Sequence, residues 1–120
     1  MFQGLRTVIY NPGDLEKGKT WYKQALGLEP YFDDPGYVGF NVGGYELGLN
    51  TDVAPRAEGA GVMAYWGVDD IEATFAHLKS IGATVKGEIT EVGGGIKTAE
   101  LIDPFGNLLG IIYNPEFKLP

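Results

Sequence analysis

The hydrophobic and polar positions of this chain change period several times. Leu5-Arg6-Thr7-Val8-Ile9-Tyr10 is β-branched and aromatic, the composition of a strand. Asn11-Pro12-Gly13-Asp14 turns the chain and offers Asp14 as a helix N-cap. Leu15, Tyr22 and Leu26, with Trp21 and Ala25 beside them, then follow a helical period over 15–26. Gly27 stands where a left-handed C-cap belongs, and Gly18 weighs against the helix. Three strand-like runs follow, 31–32, 37–42 and 45–50. They are divided by Asp33-Asp34-Pro35-Gly36 and by Gly43-Gly44, a two-residue hairpin connection. The polar stretch 52–61, with Pro55 and two glycines, reads as a linker.

The second half repeats the order. A strand-like run spans 62–68, and Asp69-Asp70-Ile71-Glu72 predicts a capping box with Asp69 as N-cap. Ile71, Phe75 and Leu78 keep helical spacing, and Gly82 is the stop. Strands over 85–92, 96–102 and 108–113 are divided by Gly93-Gly94-Gly95 and Asp103-Pro104-Phe105-Gly106-Asn107. Each half thus reads strand, helix, strand, strand, strand. The pattern predicts an α+β fold of two tandem βαβββ modules in a single domain, 1–120. The first module covers about 1–51, the linker 52–61 and the second module about 62–116. The sheet faces left bare by the helices must bury against each other or wrap a ligand.

Composition narrows the chemistry. Nine Lys and Arg against sixteen Asp and Glu leave a formal charge of −7, which argues against nucleic acid and anionic membrane surfaces as partners. No apolar run approaches the ~20 residues of a membrane span. The absence of cysteine excludes disulfides, thiolate metal sites and a Cys nucleophile. The opening Met1-Phe2-Gln3-Gly4-Leu5-Arg6 has no signal-peptide pattern, so a cytoplasmic location is expected. His77 is the single histidine, and its place beside the Phe75–Leu78 stripe predicts an outer surface position. Ser80, the single serine, has no triad partner in the pattern.

With Asp14-Leu15-Glu16-Lys17, Trp21-Tyr22 and Leu26-Gly27-Leu28 in the first half, and Val68-Asp69-Asp70-Ile71, Gly82-Ala83 and Asp103-Pro104-Phe105-Gly106-Asn107-Leu108 in the second, the chain resembles the vicinal oxygen chelate superfamily. That superfamily takes in glyoxalase I, bleomycin-resistance proteins and extradiol dioxygenases. The resemblance covers nearly the whole chain and implies the glyoxalase/bleomycin-resistance fold, a concave mixed sheet built from both modules. In metal-using members the ligands lie early on the first strand and on the last strand of each half. Carried over, those places fall on Arg6, on Gly48 or Asn50, on Met63 and on Gly110. A one-residue slip substitutes Thr7, Val62 or Ala64, and Leu109 or Ile111. A guanidinium, a thioether, a glycine and at best one amide do not hold a divalent ion, so no metal and no cofactor are expected.

Strand alternation, set by that resemblance, turns Arg6, Val8 and Tyr10 to the cavity and Leu5, Thr7 and Ile9 under the helix. Met63, Tyr65 and Gly67 face the cavity in the second half; Glu46, Gly48 and Asn50 do so on the first half's last strand. Arg6 either anchors an anionic or carbonyl ligand or pairs with Glu46 or Glu100. Tyr10 and Tyr65 either stack on a flat ligand or fill the core. Glu46 either acts as a desolvated general base or sits in an ion pair. The triple glycine reads as a hairpin loop, and Asp103 to Asn107 as an architectural turn. The expected function is metal-free binding of a small apolar or aromatic molecule in the cavity between modules, with Arg6, Tyr10, Glu46, Asn50, Met63 and Tyr65 as ligand-binding residues. The alternative is a glyoxalase-like lyase or isomerase using non-standard metal ligands or Glu46/Arg6 acid–base chemistry. The resemblance implies a homodimer in either case.

Overall fold

The computed structural model describes residues 1, 3–52 and 63–115. Almost all of the expected 52–61 linker, and the tail 116–120, lie outside the described residues. The described residues divide into two compact units, one within Met1–Arg56 and one within Ala57–Pro120.

The first unit runs β1 (Thr7–Tyr10), α1 (Leu15–Leu26), β2 (Phe32–Asp34), β3 (Tyr37–Val42) and β4 (Tyr45–Leu49). The sheet order is β1-β4-β3-β2, with β1 parallel to β4 and the other pairs antiparallel. Helix α1 has the expected bounds. The Asp14 carboxylate accepts from the Lys17 amide at 3.0 Å, and Gly27 closes the helix at φ 67°. Gly18 proves to be a packing requirement: a methyl there would stand within 2.7 Å of the Pro12 ring, so glycine lets the helix lie against the preceding turn. Gly43 and Gly44, both at positive φ, close the β3–β4 hairpin and set Val42 opposite Tyr45.

Paired residues in neighbouring strands share a face of the sheet. The rows Val8–Leu47–Phe40 and Tyr10–Leu49–Val38 lie beneath α1, where Trp21 and Tyr22 complete a core with all but Val8 buried. Tyr10 stacks on Tyr22 at 5.9 Å between centroids. The rows Thr7–Glu46–Asn41 and Ile9–Gly48–Gly39–Phe32 form the opposite, helix-free face. This corrects the facing expected for the first strand. Thr7 and Ile9 are on the face expected for Arg6 and Tyr10, because parallel pairing sets Thr7 against Glu46 and Tyr10 against Leu49.

The second unit runs β5 (Tyr65–Gly67), α2 (Ile71–Ser80), β6 (Thr84–Gly93), β7 (Ile96–Ile102) and β8 (Leu108–Tyr113), in sheet order β5-β8-β7-β6. The N-cap of α2 is Asp70, whose carboxylate accepts from the Ala73 amide at 3.0 Å; Asp69 lies one residue before the cap. Ile71, Phe75 and Leu78 pack over the buried Ala99, Leu101, Leu109 and Ile111. Tyr65–Gly110–Glu100–Gly87 is a row of the helix-free face. Among the described residues no helix is long and apolar enough to cross a membrane.

Candidate functional site

On the first sheet's helix-free face four side chains converge. Glu46 Oε1 accepts from Thr7 Oγ1 at 3.0 Å and from Tyr37 Oη at 2.6 Å; Glu46 Oε2 accepts from Tyr31 Oη. Two glycines make room for them. A Cβ on Gly39 would stand 2.7 Å from Glu46 Oε2, and one on Gly48 would collide with the Tyr37 hydroxyl. The Tyr31 and Tyr37 side chains therefore lie over bare backbone. Phe32 stands beside Tyr37, their ring centroids 6.1 Å apart, and Ile9, Tyr31 and Phe32 are exposed around the cluster.

The electrostatics follow from those contacts. Burial opposes charge on Glu46, but the hydroxyls of Tyr31, Tyr37 and Thr7 outweigh it and hold the carboxyl below its ordinary range. Burial first, and the Glu46 carboxylate second, push the Tyr37 hydroxyl far above its ordinary value. The expected general base is thus an ionised acceptor with three neutral donors. The signs for stability are opposite at the two ends of the pH scale. A lowered carboxyl adds stability above the unfolded value of 4.5, lost as pH falls through the folded value. A raised tyrosine adds stability below 10.0, lost as pH climbs towards its folded value. Urea denaturation across pH 3–11 should show both losses. Glu46→Gln should flatten the acid limb, and Tyr37→Phe the alkaline one.

Within the first unit the other expected site residues do not join the Glu46 cluster. The Arg6 guanidinium is not paired with Glu46: its Nη1 donates to the Gln3 carbonyl at 3.1 Å, while its own carbonyl accepts from the Glu46 amide at 2.7 Å. The Glu46/Arg6 acid–base pair is therefore not assembled. Tyr10 is 4% exposed in the core under α1. Asn50 is a turn former, its Oδ1 accepting from the Asp52 amide at 2.7 Å. In the second unit Tyr65 is on the helix-free face as expected, and its hydroxyl donates to Glu100 Oε2 at 2.8 Å. Met63 lies against Gly110, where a Cβ would stand 2.6 Å from its Cε. His77 is exposed, and its carbonyl accepts from Ser80 Oγ at 2.6 Å.

Thr7, Tyr31 and Tyr37 are the partners of Glu46 that sequence reasoning missed, and Glu100 was named as a partner for Arg6 and not for Tyr65. A signal existed for Tyr37: the two-residue hairpin fixes Gly39 opposite Gly48, so Tyr37 two positions earlier shares the face of Glu46. None existed for Thr7, because the β1–β4 pairing joins segments 39 residues apart.

The metal implied by the resemblance can be tested against the donors. Among the described residues no three His, Cys, Asp or Glu side chains are grouped to hold an ion. Glu46 already receives three of the roughly four hydrogen bonds a carboxylate accepts. Met63 and Gly110 bring a thioether and no side chain. The residues present do not fit a hard or borderline divalent ion.

Two helix-backed, four-stranded mixed sheets of order first-last-third-second define a protein of tandem βαβββ modules. The family model for the Glyoxalase/Bleomycin resistance protein/Dioxygenase superfamily matches residues 4–111, and the chain belongs to that superfamily. Solved structures share the fold. A glyoxalase-related enzyme from Fulvimarina pelagi superposes with a TM-score of 0.75 at 21% identity, covering 99% of this chain and 94% of that one. A family enzyme from Burkholderia phytofirmans PsJN gives 0.73 at 19%, over 89% and 95%. A glyoxalase/bleomycin resistance protein from Albidiferax ferrireducens T118 gives 0.73 at 23%, over 92% and 98%.

Proposed function

We propose that this chain is a small-molecule binder that holds an apolar or aromatic compound without a metal, on the helix-free face that carries Glu46. The observation behind this reading is the Glu46 cluster. Its carboxylate is held by three neutral hydroxyls and is not grouped with other metal-ligating side chains among the described residues, and exposed Ile9, Tyr31 and Phe32 surround it. Apolar area buried there contributes roughly 25 cal/mol per Å², while Tyr31 and Tyr37 orient the ligand. In the second unit, taken by itself, Tyr65 and Met63 are the proposed ligand contacts. The reading includes a homodimer, as the family resemblance implies, and a cytoplasmic location, which suits a chain without cysteine.

Two measurements test it. Elemental analysis of protein purified from cells should find no stoichiometric metal, and nickel, zinc or manganese should leave Tm unchanged. A metal held at a hundredfold excess over its Kd would raise Tm by roughly 10 °C, and that result defeats the reading. The neutral fluorophore N-phenyl-1-naphthylamine should bind once per chain, and Phe32→Ala should weaken it several-fold. Light scattering should report two chains per particle.

A further inference from the structure

We infer that the ligand taken up at the Glu46 cluster is an organic cation, an amine carrying aromatic or apolar bulk. The inference rests on the binding reading above and names its ligand class.

Among the described residues no lysine or arginine pairs with Glu46: its side-chain partners are Thr7, Tyr31 and Tyr37, all neutral. Arg6, the cation expected to neutralise it, is turned to Gln3. The lysines seen in ion pairs are engaged elsewhere, Lys19 with Glu16 and Asp33, Lys23 with Glu29 and Lys97 with Glu72. Among the described residues the Glu46 carboxylate therefore has no cationic partner, and Oε2, with a single donor, retains accepting capacity.

What surrounds that charge is aromatic. Tyr31 and Phe32 are 63% and 46% exposed, and Tyr37 is tilted 60° to Phe32. Ring faces attract cations, and two tyrosines whose hydroxyls donate to a carboxylate present more electron-rich rings. Gly39 and Gly48 let Glu46 and the two tyrosines lie close over the strand backbone, which gathers rings and carboxylate on one patch. An anionic ligand would meet Glu46 with repulsion, and a neutral one would leave its charge unanswered. The formal charge of −7 favours the approach of a cation.

The test compares benzylammonium, benzyl alcohol and benzoate by isothermal titration calorimetry in low salt. Benzylammonium should bind about tenfold more tightly than benzyl alcohol, and benzoate should not bind. Glu46→Gln should bring the ratio of benzylammonium to benzyl alcohol affinity from about tenfold to about one, whatever its effect on benzyl alcohol, and raising NaCl to 0.5 M should weaken benzylammonium alone. Tyr31→Ala, which removes one exposed ring, should weaken benzylammonium several-fold; an unchanged affinity there counts against the inference. Equal binding of alcohol and ammonium, or a preference for benzoate, overturns the cation assignment and leaves the binding reading standing. No binding of any of the three overturns both.

Discussion

Gly110→Ala is expected to destabilise the protein by about 3 kcal/mol, the largest effect of any single methyl addition considered. Gly110 pairs with Tyr65, the first residue of β5. A Cβ there would stand 2.5 Å from the Ala64 carbonyl oxygen, 2.6 Å from Met63 Cε and 2.8 Å from Tyr65 Cδ1. The thioether can swing away, but the backbone oxygen can move only if β5 shifts as a whole. That strand has three residues and one neighbour, so a shift costs it the pairing and carries Tyr65 away from Glu100. The φ of Gly110 is open to any residue, so the penalty is steric and not torsional. Gly67→Ala is the control, since a methyl there meets nothing within 4 Å; it should change stability by less than about 0.5 kcal/mol. Urea denaturation of both variants measures the difference, which for Gly110→Ala corresponds to a Tm loss on the order of 10 °C. A stability within error of the parent would show that β5 is not held as described.

Asp103→Ala is expected to cost a similar amount, about 3 kcal/mol, by a different route. Asp103 is 3% exposed, and its carboxylate organises the turn between β7 and β8. Its Oδ1 accepts from the Phe105 and Asn107 amides at 2.9 and 2.8 Å, and Oδ2 accepts from Asn107 Nδ2 at 3.1 Å. Asn107 is itself 1% exposed. Truncation leaves two backbone donors and one amide without that acceptor where water has little access, and a buried donor without a partner costs more than a made bond gains. Asp103→Asn keeps Oδ1 but sets an amino group against Asn107 Nδ2, so it should fall between the parent and alanine. If Asp103→Ala matches the parent in denaturation, the turn does not depend on that carboxylate.

Much of the fold was legible because it is local. The bounds of α1 follow from Asp14, Gly27 and the period between them, and β3, β7 and β8 begin and end where their turns predict. The turn at Asp103 was readable as architecture from its Pro and Gly. The N-cap of α2 was misplaced by one residue because two adjacent aspartates carry equal capping propensity, and only the approach of the Ala73 amide selects Asp70. Gly18, a weakness by helix propensity, is a requirement of packing against Pro12, which propensity does not register.

The candidate site was only partly legible. Glu46 was placed on its correct face because Leu47 and Leu49 alternate with it. The face of β1 was not readable, since Thr7-Val8-Ile9-Tyr10 has no polar alternation to mark a buried side. Sequence alone determined the two modules, their helices, their turns, the lack of cysteine and the single histidine, because composition is given outright and torsional preference and periodicity act over a few residues. Tertiary structure decided that Tyr10 joins the core while Thr7 meets Glu46, that Arg6 turns to Gln3, and that Tyr31 and Tyr37 close on one carboxylate. Those outcomes depend on which strand lies beside which, and strand pairing is settled by the sum of distant contacts.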